Sequence, residues 1–237
     1  MQTVLKLLYP SQCLTCGEMV EEDGSLCGTC WRDASFIRGT KCSQCGVPLP
    51  GEEDSKHIRC DDCIRIARPW TRGAAALMYR GTGRRLALSL KYGDRTDLAP
   101  SAAKWMLGAF GEIPPETVVV PVPLHWRRFL KRRYNQAALL AQEISKIAKL
   151  DYVPDALFRS RPTKPLDGHK REARFIALQD AIAPNPKMAK RIEGKPVLLI
   201  DDVMTSGATL GSCAEACLEG GADHVNVLVL ARVAKDA

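Results

Sequence analysis

Over the second part of the chain, apolar residues fall into two alternating patterns. Short runs rich in small or β-branched residues, GAAALMY, TVVVPVP, KPVLLIDD and VNVLVLA, have the density of strands buried on both faces. Between them the apolar positions recur at helical spacing. Ala137, Leu140, Ala141, Ile144, Ile147 and Ala148 trace one continuous face, as do Leu210, Cys213, Ala214, Cys217 and Leu218, after which Gly220 and Gly221 close the segment. GTGRRLALSLKYGD reads as a turn and a helix, and residues 98–110 as a further helix. Alternating strands and helices predict an α/β fold with an open, mainly parallel sheet.

The first 66 residues follow another logic. Large apolar residues are sparse, and eight of the ten cysteines form four C-x-x-C pairs: Cys13/Cys16, Cys27/Cys30, Cys42/Cys45 and Cys60/Cys63. Two such knuckles complete a tetrahedral shell of thiolates, so four imply two zinc ions, each fully coordinated and therefore structural. Tandem spacing disfavours a redox dithiol. Sequential and cross-braced sharing both remain open; Gly17 and Gly46, following the first knuckle of each half, favour a repeated unit and sequential sharing. Cys213 and Cys217, four residues apart on a helix, read as small core residues. The division expected is residues 1–66, a double zinc ribbon, and residues 67–237, the α/β part, with the boundary in RIARPW.

Charge separates the same two parts. Residues 1–65 carry seven Lys/Arg against ten Asp/Glu, net −3, and the remainder 27 against 17, net +10. A basic field favours phosphate-rich partners. Two segments concentrate it: HWRRFLKRRYNQ, where Trp126, Phe129 and Tyr134 interleave with Arg127, Arg128, Lys131, Arg132 and Arg133, and residues 159–175, which lack any period and read as a long loop. The first has the composition of a surface that stacks single-stranded bases and neutralises phosphates, or of a solvated helix face. The amino terminus lacks the long apolar core and cleavage site of a signal peptide, and no segment has the length of a membrane span, so a cytoplasmic location is expected.

The candidate chemistry lies in VLLIDDVMTSGAT, residues 197–209. A buried strand ends in Asp201 and Asp202, and Thr205, Ser206, Gly207, Ala208 and Thr209 lead into the next helix. Free amides and hydroxyls at a helix start favour an anion, and Gly207 allows close approach. Carboxylates cannot hold a phosphate but accept hydrogen bonds from hydroxyls. A ligand carrying a diol beside a phosphate satisfies both halves, as a ribose 5-phosphate does.

VLLIDDVMTSGAT resembles the phosphoribosyl pyrophosphate (PRPP) loop of type I phosphoribosyltransferases. Together with the four knuckles, LKYGD, VPVPLHWRR and YNQA, the chain resembles the ComF (GntX-like) competence protein family over nearly its whole length. The resemblance implies PRPP bound with Mg²⁺, a pyrophosphate-binding turn at Pro123, Leu124 and His125, and Lys91, Arg127, Arg128 and Arg133 as its partners. Lys91, His125 and Arg133 are then the catalytic candidates. The long loop corresponds to a mobile flap carrying Lys164, Lys170, Arg171 and Arg174. Leu166 and Ala177 stand where the family pattern carries polar amides. The resemblance further implies a role in natural transformation or in using imported DNA, beside a translocase and a membrane channel. A single-stranded DNA-binding factor without transferase activity is the alternative.

Overall fold

The computed structural model describes residues 10–51, 58–124, 133–159 and 182–234. Strands β1 (Arg72–Met78), β2 (Val118–Pro121), β3 (Asp151–Tyr152), β6 (Pro196–Met204) and β7 (His224–Arg232) form one sheet in the order β1-β7-β6-β2-β3, with every pairing parallel. A second sheet pairs β4 (Leu157–Arg159) with β5 (Ile182–Pro184), antiparallel.

Helices α3 (Gly81–Tyr92), α4 (Ala99–Phe110) and α5 (Gln136–Ala148) pack their apolar stripes on one face of the five-stranded sheet, and α7 (Ala208–Glu219) covers the other. Strand β6 shows why its run is apolar throughout. Leu198 and Ile200 join the core beneath α3, α4 and α5, while Val197 and Leu199 join the core beneath α7. Each such buried side chain stabilises the fold by about 2 kcal/mol. The short helix α6 (Ala189–Ile192) adds Ile192 to the second core.

The expected elements are all present, with two residues off their stripes. Ile147 and Leu218 are 43% and 40% exposed. At 100° per residue both lie roughly 70–90° from the centre of their helix's apolar face, too far round to reach the sheet. Arg159, expected at the start of the long loop, closes β4 instead. The rest of that loop, including Lys164, Leu166, Lys170, Arg171, Arg174 and Ala177, lies outside the described residues.

The cysteine-rich part is one unit built twice. Bridges Gln12↔Met19 and Lys41↔Pro48 each frame a knuckle; Cys13 and Cys42 donate their N–H to Glu18 and Val47, and Gly17 and Gly46 donate back to those cysteines. Both glycines have φ near +70 to +80°, a conformation glycine adopts without strain. The second knuckle of each unit opens a short helix, α1 (Gly28–Asp33) after Cys27 and α2 (Asp61–Arg65) after Cys60.

This part also covers the open edge of the sheet. Ile37 N–H donates to Ala76 O at 2.9 Å, Met78 N–H to Ser35 O at 3.0 Å and Gly73 N–H to Ser43 O at 2.9 Å. The free hydrogen-bonding groups of β1 thus find partners within the chain. Contact is close enough that a Cβ on Gly46 would lie 2.7 Å from Ala75 N, and one on Gly73 2.1 Å from Gln44 O.

Candidate functional site

Zinc fits both cysteine groups. Sγ atoms of Cys13, Cys16, Cys27 and Cys30 lie within 4.8 Å of one another, and so do those of Cys42, Cys45, Cys60 and Cys63. Sharing is therefore sequential. Cys16 and Cys27 approach to 3.6 Å, as do Cys45 and Cys60, near the ~3.8 Å edge of a tetrahedron with Zn–S bonds of about 2.3 Å. Four thiolates leave no position for substrate, so these sites order the chain and do no chemistry. Cys213 and Cys217 are fully buried on α7; burial drives the Cys213 thiol well above its ordinary pKa and that of Cys217 to about 12. They are inert packing residues.

The acidic pair stands near the carboxyl end of β6, in the middle of the sheet, where open α/β folds place their ligands; the strand runs two residues past the expected end, through Val203 and Met204, which still pair with β7. Successive strand residues point to opposite faces, and Asp202 turns toward α3, where Lys91 Nζ lies 3.2 Å from its Oδ1. Asp202 is 5% exposed, and its other oxygen, Oδ2, has no partner among the described residues. Asp201 accepts from the N–H of Asp202 at 2.8 Å. Burial, then the neighbouring Asp202 charge, push the Asp201 carboxyl up to about 7, against the pull of Lys91. Burial works against the Lys91 ammonium, yet Asp202 and Asp201 outweigh it and its pKa rises. A cluster of two acids and one base is thus held at a strand end at a cost in stability.

That cost has a testable sign. The Asp201 carboxyl titrates near 4 when unfolded and about 7 when folded, so its ionisation takes away stability as pH rises through this window. Asp201→Asn retains an acceptor for the Asp202 N–H and removes the penalty. Its melting temperature is expected to exceed that of the wild type increasingly from pH 5.5 to 8, the difference growing by the equivalent of about 2 kcal/mol across that window. A difference independent of pH in paired thermal melts would refute this.

The turn between β6 and α7 is gripped from behind. Arg232 Nη1 donates to Thr205 O at 2.7 Å and Met204 O at 3.2 Å, and Arg68 Nη1 donates to Ser206 O at 2.8 Å. In a trans peptide the N–H points opposite to the C=O. The N–H groups of Thr205, Ser206 and Gly207 are therefore directed away from the arginines, toward the mouth of the turn. Gly207, with φ +80°, has no room for a side chain: a Cβ would meet Arg68 Nη1 at 2.9 Å and Trp70 at 3.2 Å. Ser206 Oγ accepts from Ala208 N–H at 3.3 Å, and Thr205 and Thr209 are at least partly exposed beside it. Chemically, such a turn of amides and hydroxyls can hold an anion.

Neighbouring segments complete the rim. Strand β2 pairs with β6, so Pro123 and Leu124 emerge beside the acids, and Val122 N–H donates to Ile200 O. Asn135 Nδ2 donates to Val122 O, Tyr134 Oη to Leu90 O and Gln136 Nε2 to Lys91 O, tying the start of α5 to the helix end that carries Lys91. Tyr134 is thereby half-buried as a strut. Arg133 is exposed, at φ +65°. His125, Trp126, Arg127, Arg128, Phe129, Lys131 and Arg132 lie outside the described residues. Arg68, Trp70 and Arg232 were missed by sequence reasoning; each is a single residue outside any motif, recognisable only once the turn's carbonyls are seen to need donors.

Residues 4–64 match the family model described as the double zinc ribbon domain. The chain is 28% identical to the DNA utilization protein YhgH of Escherichia coli strain K12 over 214 residues, covering 87% of this chain and 90% of that protein. It is 26% identical to competence protein ComFC of Bacillus subtilis strain 168, over 86% of this chain and 82% of the relative. The chain is a homologue of the ComF competence proteins. Competence protein F of Haemophilus influenzae matches at 24% identity over 93% of this chain and 96% of its own length. Among solved structures, the glutamine PRPP amidotransferase of B. subtilis complexed with ADP and GMP matches at a TM-score of 0.39 and 17% identity, over 60% of this chain and 30% of that one. No helix among the described residues is long and apolar enough to cross a membrane.

Proposed function

We propose that the turn after β6 binds a ribose 5-phosphate, foremost PRPP. The phosphate sits on the amides of residues 205–209, and Asp201 and Asp202 accept hydrogen bonds from the ribose hydroxyls. The observation that carries this reading is the orientation of three successive peptides, whose carbonyls are occupied by Arg68 and Arg232 so that their N–H groups face outward beside the half-buried Asp201 and the buried Asp202. The unpartnered Oδ2 of Asp202 is an acceptor in want of a donor, which a hydroxyl supplies.

The diphosphate of PRPP, entering as its Mg²⁺ complex, falls on the side of Pro123, Leu124 and His125, with Arg133 and Lys91 nearby. In a transfer reaction the bond from C1 of the ribose to the diphosphate would break, the diphosphate leaving with the electron pair as an acceptor nucleophile bonds to C1, and these cations would take up the charge of the leaving group. Calorimetric titration of PRPP with Mg²⁺ tests the reading. Wild type is expected to bind with a stoichiometry of one, and Asp202→Asn and Asp201→Asn each to weaken binding by at least about tenfold, one lost charge-assisted hydrogen bond. Binding unaffected by both substitutions would place the ligand elsewhere.

The relatives' names, DNA utilization and competence, favour a role in DNA uptake or in the use of imported DNA. On this second reading the basic segment 125–133 engages single-stranded DNA, and the ribose-phosphate site serves that task without transfer. A translocase or channel of DNA uptake would then be its partner, and the cytoplasm its place of work. Salt-sensitive binding of a single strand that survives Asp202→Asn but is lost in Arg132→Ala with Arg133→Ala would favour it. The division at residues 66/67 then separates a stabilising ribbon from the part that meets ligands.

A further inference from the structure

The two arginines behind the turn also face the second cysteine group. Arg232 Nη2 lies 3.9 Å from Cys45 Sγ while its Nη1 holds Met204 and Thr205. Arg68 Nη1 holds Ser206, and its guanidinium stacks 5.2 Å from the centre of the Trp70 ring. The Trp70 indole in turn donates to Gln44 O, inside the Cys42/Cys45 knuckle, at 2.6 Å. Both arginines are more than nine-tenths buried, and Arg68 Nε, Arg68 Nη2 and Arg232 Nε have no partner among the described residues. Two buried guanidinium groups with spare donors require an anion.

Zinc with four thiolates carries a net charge of about −2, and it is largely buried here: Cys42 and Cys45 are fully inaccessible, Cys63 is 2% exposed and Cys60 is half-buried. Two arginines balance that charge. In the first group Cys16 is exposed, so water can solvate the cluster and no such pair is needed. We infer that Arg68 and Arg232 are positioning residues shared by two sites, neutralising the second zinc–thiolate cluster on one side and fixing the phosphate-binding turn on the other. The second ribbon is thus the back wall of the turn, and loss of its zinc loosens the turn, whereas loss of the first zinc does not. The affinity consequence rests on the ribose-phosphate reading; the coupling itself does not.

The test uses the full-length, zinc-loaded protein and two readouts that need no ligand. Zinc release to a colorimetric chelator is expected in two phases of one equivalent each. Arg68→Gln and Arg232→Gln are expected to hasten one phase by about 10–100-fold, the usual effect of removing a hydrogen-bonded partner of a metal ligand, and to leave the other unchanged. Arg232→Lys, which keeps the charge but loses the fork, is expected to fall between. Hydrogen exchange over residues 204–210 is expected to quicken in both Gln variants and in Cys60→Ser, but not in Cys16→Ser. Unchanged release in both arginine variants, or equal loosening of the turn by Cys16→Ser and Cys60→Ser, would overturn the inference. If wild type fails to bind PRPP while these responses appear, the proposed ligand falls and the coupling stands; PRPP binding without them has the opposite meaning.

Discussion

Stripping both zinc ions with a strong chelator is expected to unfold the cysteine-rich part and to lower the melting temperature of the whole chain by tens of degrees. Ordering some 65 residues costs on the order of 100 kcal/mol, and this part contributes few large side chains to either core: Leu14, Leu26 and Ile37 are buried, while Trp31 is 43% exposed. Each structural zinc contributes about 10 kcal/mol or more of apparent folding free energy, far above the few kcal/mol that usually remain for a domain. Damage would not stop at residue 66. Cys13, Leu26, Cys27 and Cys30 share a core with β1 and α3, and residues 35–43 supply the hydrogen bonds along the edge of β1. Loss of the ribbons exposes that edge as a template for pairing between molecules, so apo protein is expected to aggregate. Far-UV circular dichroism and light scattering during chelation report both effects, and a spectrum unchanged after complete metal loss would refute them.

Replacing Lys91 by Met is expected to destabilise the protein by about 3–5 kcal/mol, the cost of leaving a buried carboxylate without its counter-charge. Asp202 is 5% exposed, its Oδ1 depends on Lys91 at 3.2 Å, and its Oδ2 already lacks a partner. The double variant Lys91→Met with Asp202→Asn is expected to recover most of the loss, since neither charge then remains. A double-mutant cycle in urea gives the coupling directly. Additive effects of the two substitutions would show that the ion pair is not the reason for the loss. Such a pair is seldom worth its desolvation as a stabiliser. Its retention at a strand end, beside an acid whose own ionisation is unfavourable, makes sense for a site that meets hydroxyls and phosphates.

Much of this was legible in the sequence because strong local rules were at work. A run such as PVLLI can be buried on both faces as a central strand, and Asp201 and Asp202 directly after it lie close to the strand's carboxyl end, which Val203 and Met204 carry two residues further. Knuckle spacing fixed eight ligands, and the Gly17/Gly46 repeat indicated sequential sharing. Three features were not legible, each for a physical reason. Strands β3, β4 and β5 have two or three residues, too few for any period to show. The ribbon's seat on β1 depends on backbone hydrogen bonds from residues 35–43, and backbone groups are the same in every residue. Arg68 and Arg232 act across 138 and 27 residues of chain respectively, so nothing local distinguishes them from the other basic residues of a basic protein.

On the reading proposed above, the turn joining β6 to α7 holds a sugar phosphate. Hydrogen exchange measured on the zinc-loaded protein, with and without saturating PRPP and Mg²⁺, reports on those amides directly. Protection is expected to appear over residues 204–210 and at the end of α3 around Lys91, and to require at least about tenfold more PRPP in Asp202→Asn. Binding of PRPP that leaves residues 204–210 exchanging at the free rate would contradict the account.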